Sequence, residues 1–460
     1  MLSMTLTQMV RAVDGRLHGE RRLPDDAEVC GLFTDTRKPM HGGVFVALRG
    51  ARFDAHDFLS LAVENGAQVL LVEQPQEGLQ VVQIVVADTR IALGKLAAAW
   101  CDIWHAQGGR LVALTGSNGK TTTKEMLASI LRQVGPTLAT RGNLNNDIGV
   151  PLMLAELDAA HAFAVIEMGA NHSGEIAYLS ALARPDAALI TNTGRAHLQG
   201  FGGKAGVIRA KGEIFGGLRE HGTAVINLDD EGAALWLDGL RTQAVSFSMS
   251  PEQTADVQGV WSPQTCVLRL MRGAVVLEVS LQVVGEHNAH NALAAAAAAW
   301  ALGVPSSAIQ MGLAMFGGVA GRLQRKDGLN GCVIWDDTYN ANPDSLRAGI
   351  RAVAEHGQET WLVLGDMGEL GEDAAALHFE AGVLAKALGV SRLWTVGALA
   401  QKAAEAFGDA AQAFGSQDGL LFALRPALRA NAQILIKGSR SSGMENVVQA
   451  LVKPTEDAPC

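Results

Sequence analysis

Residues 115–123 read Thr-Gly-Ser-Asn-Gly-Lys-Thr-Thr-Thr, a run whose residue types suit a phosphorylated ligand. It follows the apolar run Leu111-Val112-Ala113-Leu114 and precedes a segment in which Met126, Leu127, Ile130 and Leu131 fall on one helical face. Strand, glycine loop, helix is the context in which such a loop cradles phosphate. Gly116 and Gly119 let the backbone turn tightly, so that free N–H groups of the loop and of the helix start face an anion. Lys120 would then reach the terminal phosphates of a nucleotide, and the Thr121 hydroxyl would hold Mg²⁺. Thr115, Ser117, Asn118 and Thr122 complete the candidate ATP loop. Leu114 stands where the longer Walker pattern has its first glycine, so a simple tight turn is the plain alternative.

Other side chains could complete a phosphoryl-transfer site. Glu167 ends the apolar run Phe163-Ala164-Val165-Ile166, and an acid at the carboxyl end of a strand is well placed for a cation in an open α/β sheet. His197 follows a second apolar run, with an ordinary structural histidine as the alternative. Lys211 lies in Ala210-Lys211-Gly212-Glu213 and by default is a surface lysine; Lys204 competes with it. Asn143, Asn145 and Asn146 precede Pro151, where amides also serve plain loop chemistry. Asn288 and Asn291 are three apart and share a face at a helix start beside His287, where capping is the alternative. Arg322 could stabilise charge developing on a transferring phosphoryl group from another domain. Asp337 could accept ribose hydroxyls, and Asp336, Tyr339, Asn340 and Asn342 could shape a second substrate's pocket.

These stretches resemble the Mur ligases, the ATP-dependent amide-forming enzymes of peptidoglycan synthesis. The resemblance rests on T-G-S-N-G-K-T-T, N-L-N-N-D-I-G-V-P, E-M-G, N-T-G-R-A-H-L-Q-G-F-G-G, H-N-A-H-N-A-L-A-A and D-D-T-Y-N-A-N-P, and it covers most of the chain. It implies that Glu167 binds magnesium and that His197 binds a second one. It implies that Lys211 is carbamylated, since an anionic carbamate offers oxygen ligands to a hard cation where an ammonium cannot. His287, Asn288 and Asn291 would lie against the nucleotide base, and Asn143, Asn145 and Asn146 would line the substrate side. L-G-D-M-G-E-L-G at 364–371, I-K-G-S-R-S-S-G-M-E at 436–445 and the N-terminal D-T-R…F-V-A-L-R-G-A-R-F-D-A-H-D-F point to the member that adds D-alanyl-D-alanine to UDP-N-acetylmuramoyl tripeptide. There Asp35, Thr36 and Arg37 would contact the UDP-sugar, with Arg49 and Phe53 nearby; a polar strand end is the alternative. The diamino-acid-adding relative, a folylpolyglutamate synthase and a P-loop ATP switch are the competing readings.

Positioning such groups requires several domains, and 460 residues allow about three. The expectation is an α/β protein in three parts. Residues 1–107 form an N-terminal α/β domain for the UDP-substrate. Residues 108–318 form a central P-loop-type domain, a mostly parallel sheet with an antiparallel hairpin insert within 244–284. Residues 319–460 form a Rossmann-like domain of alternating strands and helices. Val29–Asp35 and Val44–Leu48 read as strands, and Arg90–Trp104 as a helix. A net charge of −10 argues against coating nucleic acid or an anionic membrane, though not against a small anionic substrate. Five scattered cysteines without a C-x-x-C pair argue against a disulfide framework and fit a reducing cytoplasm. The first residues lack a long apolar core, so no signal peptide is expected. The alanine-rich run 289–302 is too short and too polar at its start to cross a bilayer. The expected partners are therefore ATP, Mg²⁺ and the two peptide substrates, acting on a monomer without nucleic acid or membrane insertion.

Overall fold

The computed structural model describes residues 1–19, 23–24, 26–194, 198–357 and 359–453. Its first region carries a five-stranded sheet in the order Arg16–His18, Val82–Val85, Val69–Val72, Val44–Val46, Leu32–Phe33. Only the Arg16–His18 edge runs antiparallel. The expected strand at 29–35 is in fact two, Glu28–Cys30 and Leu32–Phe33, parted at Gly31 with φ 85°. The first pairs with Ser3–Thr5, the second with Val44–Val46, and a glycine lets the chain leave one partner for the other. The Thr89–Ala106 helix starts where Asp88 accepts hydrogen bonds from the Arg90 and Ile91 N–H groups. Its buried face reaches the next region, with Trp100 Nε1 donating to the Leu157 carbonyl and Trp104 Nε1 to that of His161.

The second region is a nine-stranded sheet. Its order is Thr137–Ala139, Phe163–Glu167, Arg110–Thr115, Ala187–Ile190, Thr223–Asn227, Gln243–Ser248, Val257–Ser262, Val267–Arg272, Val275–Ser280. The first seven are mutually parallel; Val267–Arg272 then runs against them and Val275–Ser280 turns back, each joined by antiparallel pairing. Residues 244–284 therefore break the parallel pattern later than expected, and the hairpin extends the main sheet. Burial explains this: Phe247, Val257, Leu268, Leu270 and Val279 pack in one core with the alanine-rich helix Glu286–Ala301. Alanine suits that helix because small side chains bring it close to the sheet, and Ala289 and Ala292–Ala299 are all buried. Among the described residues no helix is long and apolar enough to cross a membrane.

The third region is a six-stranded sheet in the order Gln324–Asp327, Val333–Asp337, Gln433–Lys437, Thr360–Gly365, Arg392–Val396, Ala411–Phe414. All but the first are parallel. The Gln433–Lys437 strand returns between two earlier ones, so a crevice opens at the carboxyl ends of Val333–Asp337 and its neighbours. The helix Pro343–Ala354 starts at that edge, with Asn342 accepting from the Ser345 N–H.

Candidate active site

The phosphate loop bridges the Arg110–Thr115 strand and the Lys120–Leu131 helix. Gly116 has φ 154°, and a Cβ there would meet Thr191 Oγ1 at 1.9 Å; Gly119 has φ 79°, and a Cβ there would meet Asn291 Oδ1 at 2.2 Å. Both positions thus require glycine on conformation and on space. Lys120 Nζ donates to the Gly116 carbonyl at 2.8 Å, folding the ammonium over the loop that would hold phosphate. Burial holds Lys120 below the ordinary lysine range, with Glu167 acting in the opposite sense. Asn118 is fixed on its backbone side: its N–H donates to Asn192 Oδ1, and its carbonyl accepts from Thr191 Oγ1 and Asn192 Nδ2.

Glu167, 2% exposed, ends its strand beside this loop. Its Oε2 accepts from Thr121 Oγ1 at 3.0 Å and its Oε1 from Asn145 Nδ2 at 2.9 Å. Its N–H donates to Thr140 Oγ1, and the Thr140 carbonyl in turn accepts from the buried Lys124 at 2.5 Å. Lys124 was not singled out by the sequence; its role shows only once the helix packs on residues 140–146. The Thr121 hydroxyl and Glu167 carboxylate make a suitable donor set for Mg²⁺, which takes one or two protein oxygens and fills its shell with phosphate and water. Among the described residues no group of three or more His, Cys, Asp or Glu is placed to hold a metal ion.

Lys211 lies in the Lys204–Gly212 helix at 2% exposure, its Nζ 5.5 Å from the Phe201 ring centroid. Burial, assisted by the charge of Lys120, pushes its amine down to about 7. The other candidate, Lys204, donates instead to the Thr193 carbonyl. His197 lies outside the described residues.

From the third region Arg322 reaches the loop. Its Nη2 lies 3.4 Å from Thr121 Oγ1, its guanidinium 4.1 Å from the Tyr339 ring centroid, and its buried Nε has no hydrogen-bond partner among the described residues. A second contact joins the regions: Asn342 Nδ2 donates to Asn118 Oδ1 at 2.8 Å.

Two cavities meet at the loop. One, of about 690 Å³, has Lys120, Thr121, Asn145, Asn146, Glu167, Lys211, Tyr339, Asn340 and Asn342 in its wall. The other, of about 440 Å³, is walled by Thr122, His287, Asn288, Asn291, Asp337 and Lys437. Asn118, Gly119 and Arg322 belong to both. On the second side Asn291 Oδ1 accepts from Thr123 Oγ1, and Asn288 Nδ2 donates to the Val284 carbonyl. The Asn291 contact ties the alanine-rich helix to the loop helix, and the Asn288 contact secures the turn that leads into the alanine-rich helix itself. Burial pushes the His287 imidazole down to about 4, leaving it neutral at physiological pH.

Several sequence candidates sit elsewhere. Asn143 is exposed and lines neither cavity; Asn146 stays in the wall of the larger cavity, while its Oδ1 accepts from the Gly149 N–H at the start of a short helix. Asp35 and Arg37 form a two-pronged ion pair, with Arg37 Nε and Nη2 each 2.9 Å from the carboxylate, and Arg37 holds that acid down at about 2. The Thr36 carbonyl accepts from Asn65 Nδ2. Arg49 pairs with Asp54 at 2.8 Å and Glu73 at 2.9 Å, beside the exposed stacked rings of Phe53 and Phe58. None of these residues walls the two cavities; the first region contributes Arg90 and Ile91 instead. Arg90, paired with Asp147, follows its helix cap so closely that sequence alone marks it as a helix-start residue.

Comparison with known proteins gives the same picture as the motifs. Residues 114–299 match the Mur ligase middle domain, and residues 321–440 match the Mur ligase glutamate ligase domain. The chain is 44% identical over 462 residues to the UDP-N-acetylmuramoyl-tripeptide–D-alanyl-D-alanine ligase of Escherichia coli K12, covering 98% of this chain and 99% of that one. A crystal structure of MurF from Acinetobacter baumannii superposes with a TM-score of 0.89 at 40% identity, covering 98% of both chains. MurF from Thermotoga maritima in complex with ADP superposes with a TM-score of 0.82 at 26% identity, covering 92% of this chain and 97% of that one.

Proposed function

The chain belongs to the Mur ligase family, and on that premise we propose its reaction: ATP-driven joining of D-alanyl-D-alanine to UDP-N-acetylmuramoyl tripeptide, giving the pentapeptide, ADP and phosphate. The observation that carries this reading is the meeting of two cavities on one phosphate loop, with Arg322 in the wall of both. ATP lies in the smaller cavity, its phosphates running along residues 115–122 toward the larger one. The tripeptide's terminal carboxylate enters the larger cavity and attacks the γ-phosphorus, and ADP leaves. A carboxylate is a poor electrophile, and the acyl phosphate formed in this step carries a good leaving group. The amine of D-alanyl-D-alanine attacks the acyl carbon, the amide bond forms, and phosphate and a proton depart.

The protein's share is positioning and charge stabilisation. Lys120 neutralises terminal phosphate oxygens. Arg322, held over the Tyr339 ring, offers its guanidinium to the transferring group from the third region. Asn145 and Thr121 orient the Glu167 carboxylate. Magnesium bound through Thr121 and Glu167 would supply positive charge to the β- and γ-phosphates. Lys211 is the proposed carbamylated residue, with His197 its partner toward a second magnesium; a buried amine that loses its proton near neutrality supports the first assignment. Asp35, Thr36, Arg37 and Arg49 are proposed to hold the UDP end of the substrate, and the reaction is placed in the cytoplasm, where ATP is available. Phosphate release from ATP and Mg²⁺ tests the reading: release that requires both peptides, with the pentapeptide found by mass spectrometry, supports it. Release indifferent to both peptides refutes it.

A further inference from the structure

Lys437 is the last residue of the Gln433–Lys437 strand and stands in register with Asp337, the last residue of the parallel Val333–Asp337 strand. Its side chain is almost wholly enclosed, at 1% exposure, yet it ends in the wall of the smaller cavity. Two of its donors are committed: Nζ lies 2.5 Å from Asp337 Oδ2 and 3.0 Å from the Asn340 carbonyl. The other Asp337 oxygen, Oδ1, accepts from the Leu323 N–H at 3.2 Å. A buried ion pair of this kind is a weak source of stability, because desolvation offsets the attraction. Its consequence is orientation. The pair fixes the carboxylate plane at the carboxyl edge of the sheet, where α/β folds bind ligands. Through Asn340 it also anchors residues 338–342, which carry Tyr339 under Arg322 and Asn342 onto Asn118.

We propose that Lys437 is a positioning residue for the nucleotide: it holds Asp337 as the acceptor of the ribose hydroxyls and ties that contact to the loop supporting Arg322. The proposal rests on the reading above that ATP occupies the cavity beside Asp337. It predicts a property that a merely structural lysine would lack. Removing the ammonium should abolish the enzyme's ability to tell ATP from its deoxyribose analogues.

The test compares kcat/KM for ATP, 2′-deoxy-ATP and 3′-deoxy-ATP, measured as pentapeptide formation, in the wild type, Asp337→Asn and Lys437→Met. A hydroxyl bonded to a carboxylate should give the wild type a preference of roughly 10- to 100-fold for ATP over at least one analogue. Asp337→Asn and Lys437→Met should each bring that preference within about threefold, and the double variant should do no worse than either, as expected for residues acting as one unit. Lys437→Gln, which removes the charge and keeps a polar side chain, carries the same test should Lys437→Met not fold. Pentapeptide formation with wild-type discrimination in a folded Lys437 variant, alongside its loss in Asp337→Asn, overturns the proposal. Undiminished discrimination in Asp337→Asn removes the ribose contact itself and the proposal with it. Absence of ATP-dependent pentapeptide in the wild type is a different result and strikes the reaction assignment instead.

Discussion

Lys211 should take up CO₂ near neutral pH, where an ordinary lysine would not. Only the unprotonated amine attacks CO₂, and burial disfavours the charged form, so the folded chain frees this amine at lower pH than a solvated lysine would. With Lys211 at about 7, the unprotonated fraction at pH 7.5 is about three-quarters, against about 0.1% for a lysine at its ordinary value. The advantage is several-hundredfold in reactive amine before any metal adds its pull. The assay is uptake of ¹³CO₂ followed by chemical trapping and peptide mass spectrometry, with dissolved CO₂ held constant across pH 5.5–10. The initial labelling rate at Lys211 should rise with pH, reach half its plateau near pH 7, and disappear in Lys211→Arg. CO₂-stripped enzyme should lose activity and regain it with bicarbonate. A labelling rate that climbs only above pH 9, or a label found on Lys204 instead, would refute the reasoning.

Three substitutions probe the loop and its partners. Gly119→Ala puts a methyl 2.2 Å from Asn291 Oδ1 at φ 79°, so KM for ATP should rise at least tenfold while the thermal midpoint falls only modestly; an unchanged KM would contradict the loop assignment. Arg322→Lys keeps charge but loses the planar fork stacked on Tyr339, and single-turnover acyl-phosphate formation should slow roughly 100-fold with little change in ATP affinity. Glu167→Gln keeps the hydrogen-bonding shape and removes the charge, so the Mg²⁺ concentration for half-maximal activity should increase more than tenfold; an unaltered requirement would move the metal elsewhere.

What the sequence made legible was local. The Gly-Lys-Thr loop, the acid ending an apolar strand and the alternation of the third region each declare themselves within about ten residues, because strand and helix periodicities operate at that range. The family relation and the three-region α/β organisation followed from several such stretches together. The parts that stayed hidden depend on distant packing. Gln324–Asp327 is all polar and carries no strand pattern, yet it pairs antiparallel with Val333–Asp337 and becomes a strand by partnership. Thr137–Ala139 is too short for any pattern and exists because Phe163–Glu167 offers an edge. Lys124, Arg90 and Lys437 carry no local pattern that marks them as site residues, yet Lys124 and Lys437 are buried and Arg90 walls a cavity. Asn143 shows the converse, since the motif names it and geometry gives it an exposed loop outside both cavities. The hairpin at 267–280 was foreseen, but its addition to the main sheet was decided by the core it shares with the alanine-rich helix.

The central claim is that carboxylate from one cavity attacks phosphate from the other across the 115–122 loop. It is tested most directly by running the reaction with UDP-muramoyl tripeptide carrying ¹⁸O in its terminal carboxylate. Transfer through an acyl phosphate places one ¹⁸O in the inorganic phosphate for each pentapeptide formed. Phosphate free of ¹⁸O, with product accumulating, would mean that water cleaves ATP and that the two cavities do not exchange a phosphoryl group.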